Sequence, residues 1–273
     1  MSGAAGRWAD LSRRVISAAV LLAIGAVLAV AEGIWLRLGM GAIIGVTFWE
    51  LARLTGWRHP EMHGTLFGKH RSVVLGVVAG LSLYAALNIW DWWGVLFLFV
   101  PLLLGLPGAL KSDQWVYAAF GLAILLVGYG LVGFREVYGL PFVLWLMGIV
   151  IASDILGYFA GKMIGGRKFW PQLSPKKTWS GTIAGWIGAA LVGVVLVASG
   201  HGDPALIWVS PLVAFAGQMG DIVESWLKRR AGVKDSSNLI PGHGGFMDRF
   251  DAISGATLAV MFIGLLMTLP QVF

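Results

Sequence analysis

Cysteine is missing altogether from the 273 residues, which excludes disulfides and thiolate metal centres and leaves the redox compartment unreadable. Charge is scarce too: Asp, Glu, Lys and Arg make up 12% of the chain while 58% is hydrophobic, against roughly 25% charged residues in soluble domains. With a mean hydropathy of +0.79, the composition points to a polytopic membrane protein with little length to spare for a soluble domain. Acidic residues are fewer than basic ones, and the net charge is +6. In a soluble chain that excess could suggest nucleic acid. Here the cations fall in short loops between apolar runs rather than on one face, so they report membrane topology and exclude nucleic acid as the expected partner.

Apolar segments near the ~20 residues needed to cross a hydrocarbon core run over 15–31, 34–54, 73–90, 93–110, 115–133, 140–161, 181–199, 205–224 and 252–271. This pattern predicts an all-α, polytopic integral membrane protein with about nine transmembrane helices. Several spans contain Gly or Pro, which membrane helices tolerate. If the N-terminus is cytoplasmic, all of the 20 Lys and Arg residues except Arg37 and Arg135 lie on the inner side. By the positive-inside rule this asymmetry fixes the orientation. The Arg13-Arg14 pair before an apolar run, with Ala29-Val-Ala31 after it, imitates a cleavable signal; the expectation is a retained first helix. Two regions are expected: N-terminal transmembrane helices over 1–140, and a C-terminal catalytic region over 141–273 carrying a cytoplasmic motif at 225–251.

That motif, SWLKRRAGVKDSSNLIPGHGGFMDRFD, is the densest polar cassette of the chain. It contains the cations Lys228, Arg229, Arg230, Lys234 and Arg249, the carboxylates Asp235, Asp248 and Asp251, and the flexible run Pro241-Gly-His-Gly-Gly245. Such a mixture suits a divalent metal and several phosphates. Upstream, Asp221, Ser225 and Lys228 share one face of the eighth span with Glu224 beside it. Two carboxylates there require a polar cavity. Asp248 and Asp251 open the ninth span, so Asp221 and Asp248 lie near the same membrane edge and could converge. Hard oxygen ligands without Cys or a His pair suit Mg²⁺. The alternative for these carboxylates is helix capping and ion pairing with the nearby arginines.

Three further features belong with the cassette. Asp154, in the sixth span with Ser153 and Tyr158, is an intramembrane carboxylate and by default functional, or else a packing hydrogen bond. The Gly157, Gly161, Gly165 stripe beside it reads as helix packing. The loop before the seventh span offers Ser174, Lys176, Lys177 and Thr178 as phosphate donors at a helix start, or as ordinary headgroup contacts. His243 sits among glycines that permit close backbone approach to a ligand, although a lone histidine is as readily a structural hydrogen-bonding residue.

The run from Ser225 to Asp251, with Gly220-Asp221, the Ser174-Pro-Lys-Lys-Thr178 loop and Asp154-x3-Tyr158, resembles the phosphatidate cytidylyltransferases, or CDP-diacylglycerol synthases. The resemblance covers the C-terminal part of the chain in its motifs, and the first 140 residues only as a hydrophobic multi-helix region. Ser180 departs from the family's usual Glu or Gln and is assigned no role. The resemblance implies transfer of the cytidylyl group of CTP to phosphatidic acid, in phospholipid biosynthesis, by a homodimeric multi-pass enzyme of the inner membrane. It also implies Mg²⁺ held by Asp221 and Asp248, with or without a monovalent cation. Lys234, Arg249 and Asp251 join those two as expected catalytic residues. Ser174, Lys176, Lys177, Thr178, Ser225, Lys228, Arg229 and His243 are expected to bind phosphate, with Asp154, Glu224 and Asp235 in support. The competing readings are another membrane CTP-dependent phosphotransfer enzyme and, further off, an ion-coupled transporter.

Overall fold

The computed structural model describes residues 2–56, 70–89 and 92–273, with side chains from 15 onward. Arg58 and Lys69, and the side chains of Arg7, Arg13 and Arg14, lie outside this description. The described chain is almost wholly helical: α1 (Ser2–Val30), α2 (Gly33–Leu54), α3 (Arg71–Asn88), a 3-10 segment (Trp92–Phe99) running into α4 (Val100–Gly105), α5 (Gln114–Met163), α6 (Trp179–Ala198), α7 (Leu206–Arg230) and α8 (Met247–Leu266). Among the described residues, six helices are long and apolar enough to cross a membrane, and two shorter apolar stretches cover 15–30 and 92–108. One departure from the all-helical expectation is a small antiparallel hairpin, β1 (Lys168–Trp170) with β2 (Ser174–Thr178), where the sequence suggests a loop.

Helix α5 is 50 residues long, about 75 Å at 1.5 Å per residue, far more than a ~30 Å hydrocarbon core needs. It is broken at Gly139, whose φ of 81° and ψ of −175° leave helical space, and Pro141 follows. Proline removes an amide donor and crowds the preceding turn, so the break falls within the gap expected between the spans 115–133 and 140–161. Phe134, Tyr138, Phe142 and Trp145 stack across it, with ring centroids 4.8 to 5.2 Å apart for the Phe134–Phe142, Tyr138–Phe142 and Phe142–Trp145 pairs.

The residues cluster into two compact units, one of residues 1–129 and 231–249 and the other of 130–230 and 250–273. The cassette is therefore divided, with 231–249 in the first unit and its two ends in the second. In the first unit, α2 and α3 meet through Gly41 and Gly45 against Gly76 and Gly80. A methyl at Gly45 would lie 2.8 Å from the Gly76 carbonyl, and one at Gly80 2.6 Å from the Gly41 carbonyl. The small-residue spacing lets the backbones touch, as in tightly packed membrane helices. Tyr117 is fully buried and donates to the Pro101 carbonyl at 2.7 Å, anchoring α4.

In the second unit the polar side chain of Gln218 on α7 ties three helices together. Its amide donates to Ser153 Oγ on α5 at 3.1 Å and to the Thr182 carbonyl on α6 at 3.3 Å, and its oxygen accepts from Trp186 Nε1 at 3.0 Å. Trp145 Nε1 donates to Ser210 Oγ at 3.0 Å. In an apolar setting such bonds satisfy groups that lipid cannot.

Candidate active site

In the first unit the segment 231–249 is a loop folded around two buried carboxyl groups. Asp248, in the first turn of α8, accepts at Oδ2 from the Ser236 amide (2.9 Å), the Ser236 hydroxyl (2.8 Å) and the Gly245 amide (2.7 Å). The second carboxyl group is Glu50 of α2, 0% exposed. Its Oε1 accepts from Ser237 Oγ (2.5 Å) and the Phe246 amide (2.9 Å), and its Oε2 from the Met247 amide (2.7 Å). Phe246 and Met247 open α8, so Glu50 caps that helix from another element, where a carboxylate suits the amide dipoles. Gly245 lacks a side chain because a methyl there would run into Ser236 and Glu50.

Between these anchors, the Ile240 amide donates to the Gly244 carbonyl at 2.8 Å and the His243 amide to Ile240 at 3.0 Å. This tight turn holds Gly242 and Gly244 at φ 75° and 82°, which residues with a Cβ rarely adopt. Ser17 of α1 donates to the Pro241 carbonyl at 3.0 Å, and its oxygen lies 2.7 Å from His243 Nδ1. Lys234, Asp235, His243 and Arg249 line a cavity of about 350 Å³ over this turn. Lys234, Asp235 and Arg249 are exposed, whereas Asp248 is buried.

In the second unit, Asp221 and Glu224 on α7 and Asp251 on α8 each bring a carboxylate oxygen within 4.8 Å of the others. Helix contact makes this possible, for a methyl at Gly220 would strike the Asp251 carbonyl and come 3.0 Å from the Gly255 amide nitrogen. Lys177 Nζ lies 2.6 Å from Asp221 Oδ2 and also donates to the Gln218 carbonyl at 3.1 Å. Lys228 pairs with Glu224 one turn away. Asp154 is exposed and lies within electrostatic reach of Lys177 and Asp221. Three oxygen-bearing acids drawn together beside two lysines fit a hard divalent cation bound with phosphate.

Several expectations change in detail. Lys176 and Lys177 are neighbours on a strand, so their side chains leave opposite faces; Lys176 is exposed and only Lys177 reaches Asp221. Ser174 begins that strand. Thr178 is the N-cap of α6, its oxygen accepting from the Gly181 amide at 3.2 Å. Ser225 faces neither solvent nor core fully, and Arg229 is exposed in the last turn of α7, where a cation suits the helix dipole. Gly157 and Gly161 do pack against the start of α6, whereas Gly165 has open space and a φ of 67°, a turn position rather than a packing one. Glu50 and Ser17 escaped the sequence reading. For Glu50 a signal was present, an acid within an apolar span; for Ser17 there was none.

A model of the cytidylyltransferase family matches residues 12–268, and the chain belongs to that family. Among the chain's relatives, the phosphatidate cytidylyltransferase of Brucella abortus (strain 9-941) is 34% identical, with 96% of each chain covered. The phosphatidate cytidylyltransferase of Pseudomonas aeruginosa is 36% identical over 90% of this chain and 94% of its own. That of Haemophilus influenzae is 30% identical over 90% and 96% respectively. The likeness therefore extends through the N-terminal helices, well beyond the motif-bearing part.

Proposed function

We propose that the chain transfers the cytidylyl group of CTP to phosphatidic acid, giving CDP-diacylglycerol and pyrophosphate for phospholipid biosynthesis. The observation that carries this reading is the end-to-end similarity to relatives named phosphatidate cytidylyltransferase. A phosphate oxygen of phosphatidic acid attacks the α-phosphorus of CTP, the bond from that phosphorus to the bridging oxygen breaks, and pyrophosphate departs with the electron pair. The nucleophile is already anionic near neutral pH, so alignment and charge neutralisation carry the catalysis rather than a strong base.

Asp221, Glu224 and Asp251 are the proposed donors for Mg²⁺, with a monovalent cation as a further partner. Bound there, the metal would supply charge neutralisation of phosphate oxygens. Lys176, Lys177, Lys228, Arg229, Lys234 and Arg249 provide cations for the phosphates of both substrates. The catalytic region is taken as 141–273, with its motif at 225–251. The proposed enzyme crosses the inner membrane about nine times, with the two halves of α5 and the stretches 15–30 and 92–108 each counted as one crossing. Its N-terminus and site face the cytoplasm, and it acts as a homodimer.

The test is purified protein with phosphatidic acid, Mg²⁺ and CTP labelled at the α-phosphate, following label into lipid and pyrophosphate into water. Matching amounts of labelled lipid and pyrophosphate are expected, falling at least about a hundredfold in Asp221→Asn, as for loss of a group that acts on transition-state charge. Folded wild-type protein that releases CDP or CMP instead, or makes no lipid product, would defeat the reading.

A further inference from the structure

Three cavities of the first unit share lining residues. The first is an apolar groove of about 480 Å³ between α2 and α3, reaching from Trp49 and Val73 at one end to Leu38 and Tyr84 at the other. Along the helix, Leu38 to Trp49 spans about 16 Å. That is close to half of a ~30 Å hydrocarbon core, the depth of one leaflet. The glycines through which the two helices touch also line the groove, so it is open where side chains would otherwise fill it.

At the Trp49 end, Trp49 and Leu239 also line a polar cavity of about 590 Å³ that contains Arg53, Lys234, Asp235 and Asn238. The last three of these line the cavity over the Gly242–Gly244 turn as well. The Arg53 guanidinium lies 4.9 Å above the Trp49 ring, a stacking that holds it at the groove mouth. Two cations face one carboxylate there, so the mouth favours an anion. An apolar groove one leaflet deep, sharing lining residues with a cation-lined cavity beside the 231–249 loop, matches a lipid with a phosphate head.

We propose that this groove seats an acyl chain of the phosphatidic acid substrate, with its phosphate at Arg53 and Lys234, a deepening that rests on the cytidylyl-transfer reading. A bilayer phospholipid that only solvates the groove is the rival occupant. It has no need of a cation-lined cavity beside the 231–249 loop. Arg53 thereby becomes a substrate-binding residue.

The experiment uses the full chain in phosphatidylcholine nanodiscs. Ala42 and Val77 line the groove from its two helices and are both exposed, so Ala42→Trp and Val77→Trp each fill it without entering the core. Each is expected to raise KM for long-chain phosphatidic acid about tenfold at unchanged kcat, the mark of lost uniform binding, with KM for CTP unmoved. The effect shrinks with dihexanoyl phosphatidic acid. Arg53→Met raises KM for both lipids. Independently of turnover, a phosphatidic acid with a diazirine on its acyl chain is expected to crosslink within α2 and α3 and to be displaced by phosphatidic acid but not by added phosphatidylcholine. Unchanged KM for phosphatidic acid in all three folded variants, or equal displacement by both lipids, would overturn the proposal while wild-type turnover left the cytidylyl reading standing. If the wild type made no CDP-lipid, that reading would fail, and the crosslinking would still report on the groove.

Discussion

Glu50 shows how one side chain can govern a loop almost two hundred positions away in sequence. Three donors, Ser237 Oγ and the Phe246 and Met247 amides, end on its carboxyl group within a fully buried site. Truncation leaves each of them without that acceptor, at about 1–3 kcal/mol per buried group. Glu50→Ala is therefore expected to lower stability in detergent by about 3 kcal/mol or more and to reduce kcat, because the signature loop and the start of α8 lose a common anchor. Glu50→Gln retains one carbonyl oxygen but turns an amide donor toward a backbone donor, so it should fall between the two. Thermal unfolding and turnover on the same samples check this order; an Ala variant as stable and active as wild type would remove Glu50 from the loop's support.

At the scale of elements, glycine contacts decide where the acids stand. The contact of α7 with α8 at Gly220 and Gly255 is what brings Asp251 toward Asp221 and Glu224. Gly220→Ala puts a methyl against backbone that cannot rotate away, so α8 must shift, at a cost of about 1–3 kcal/mol for overpacking. Activity and unfolding temperature are expected to drop together, whereas Gly133→Ala, with nothing within 4 Å, should match wild type in both. The Gly139–Pro141 break in α5 works the opposite way. It interrupts a helix too long for one crossing, and the residues responsible are visible in the sequence because their effect is local.

The whole molecule is a helical membrane protein with a proposed orientation. Because cysteine is absent, every introduced cysteine is a unique label. With the site cytoplasmic, a cysteine replacing exposed Lys176 in the hairpin should react with a membrane-impermeant maleimide only after cells are opened. One replacing exposed His201, between α6 and α7, should react in spheroplasts. The reverse pattern would invert the proposed orientation.

Membrane character, the helical class and the family were legible in the chain itself. Hydropathy, charge placement and the unbroken run from Ser225 to Asp251 depend on composition and local order, which sequence displays directly. The roles of single residues were less legible. Lys177 parts from Lys176 because a strand alternates its faces, Thr178 caps α6, and Glu50 and Ser17 join the loop from helices far earlier in the chain. Such assignments need the packing of distant segments, since a hydrogen bond between residues 50 and 247 leaves no periodicity or spacing to read. The sequence by itself therefore determined what kind of protein this is and which chemistry its polar residues suit. Tertiary structure alone decided which acids gather, which glycines let helices touch, and which buried carboxyl group holds the signature loop in shape.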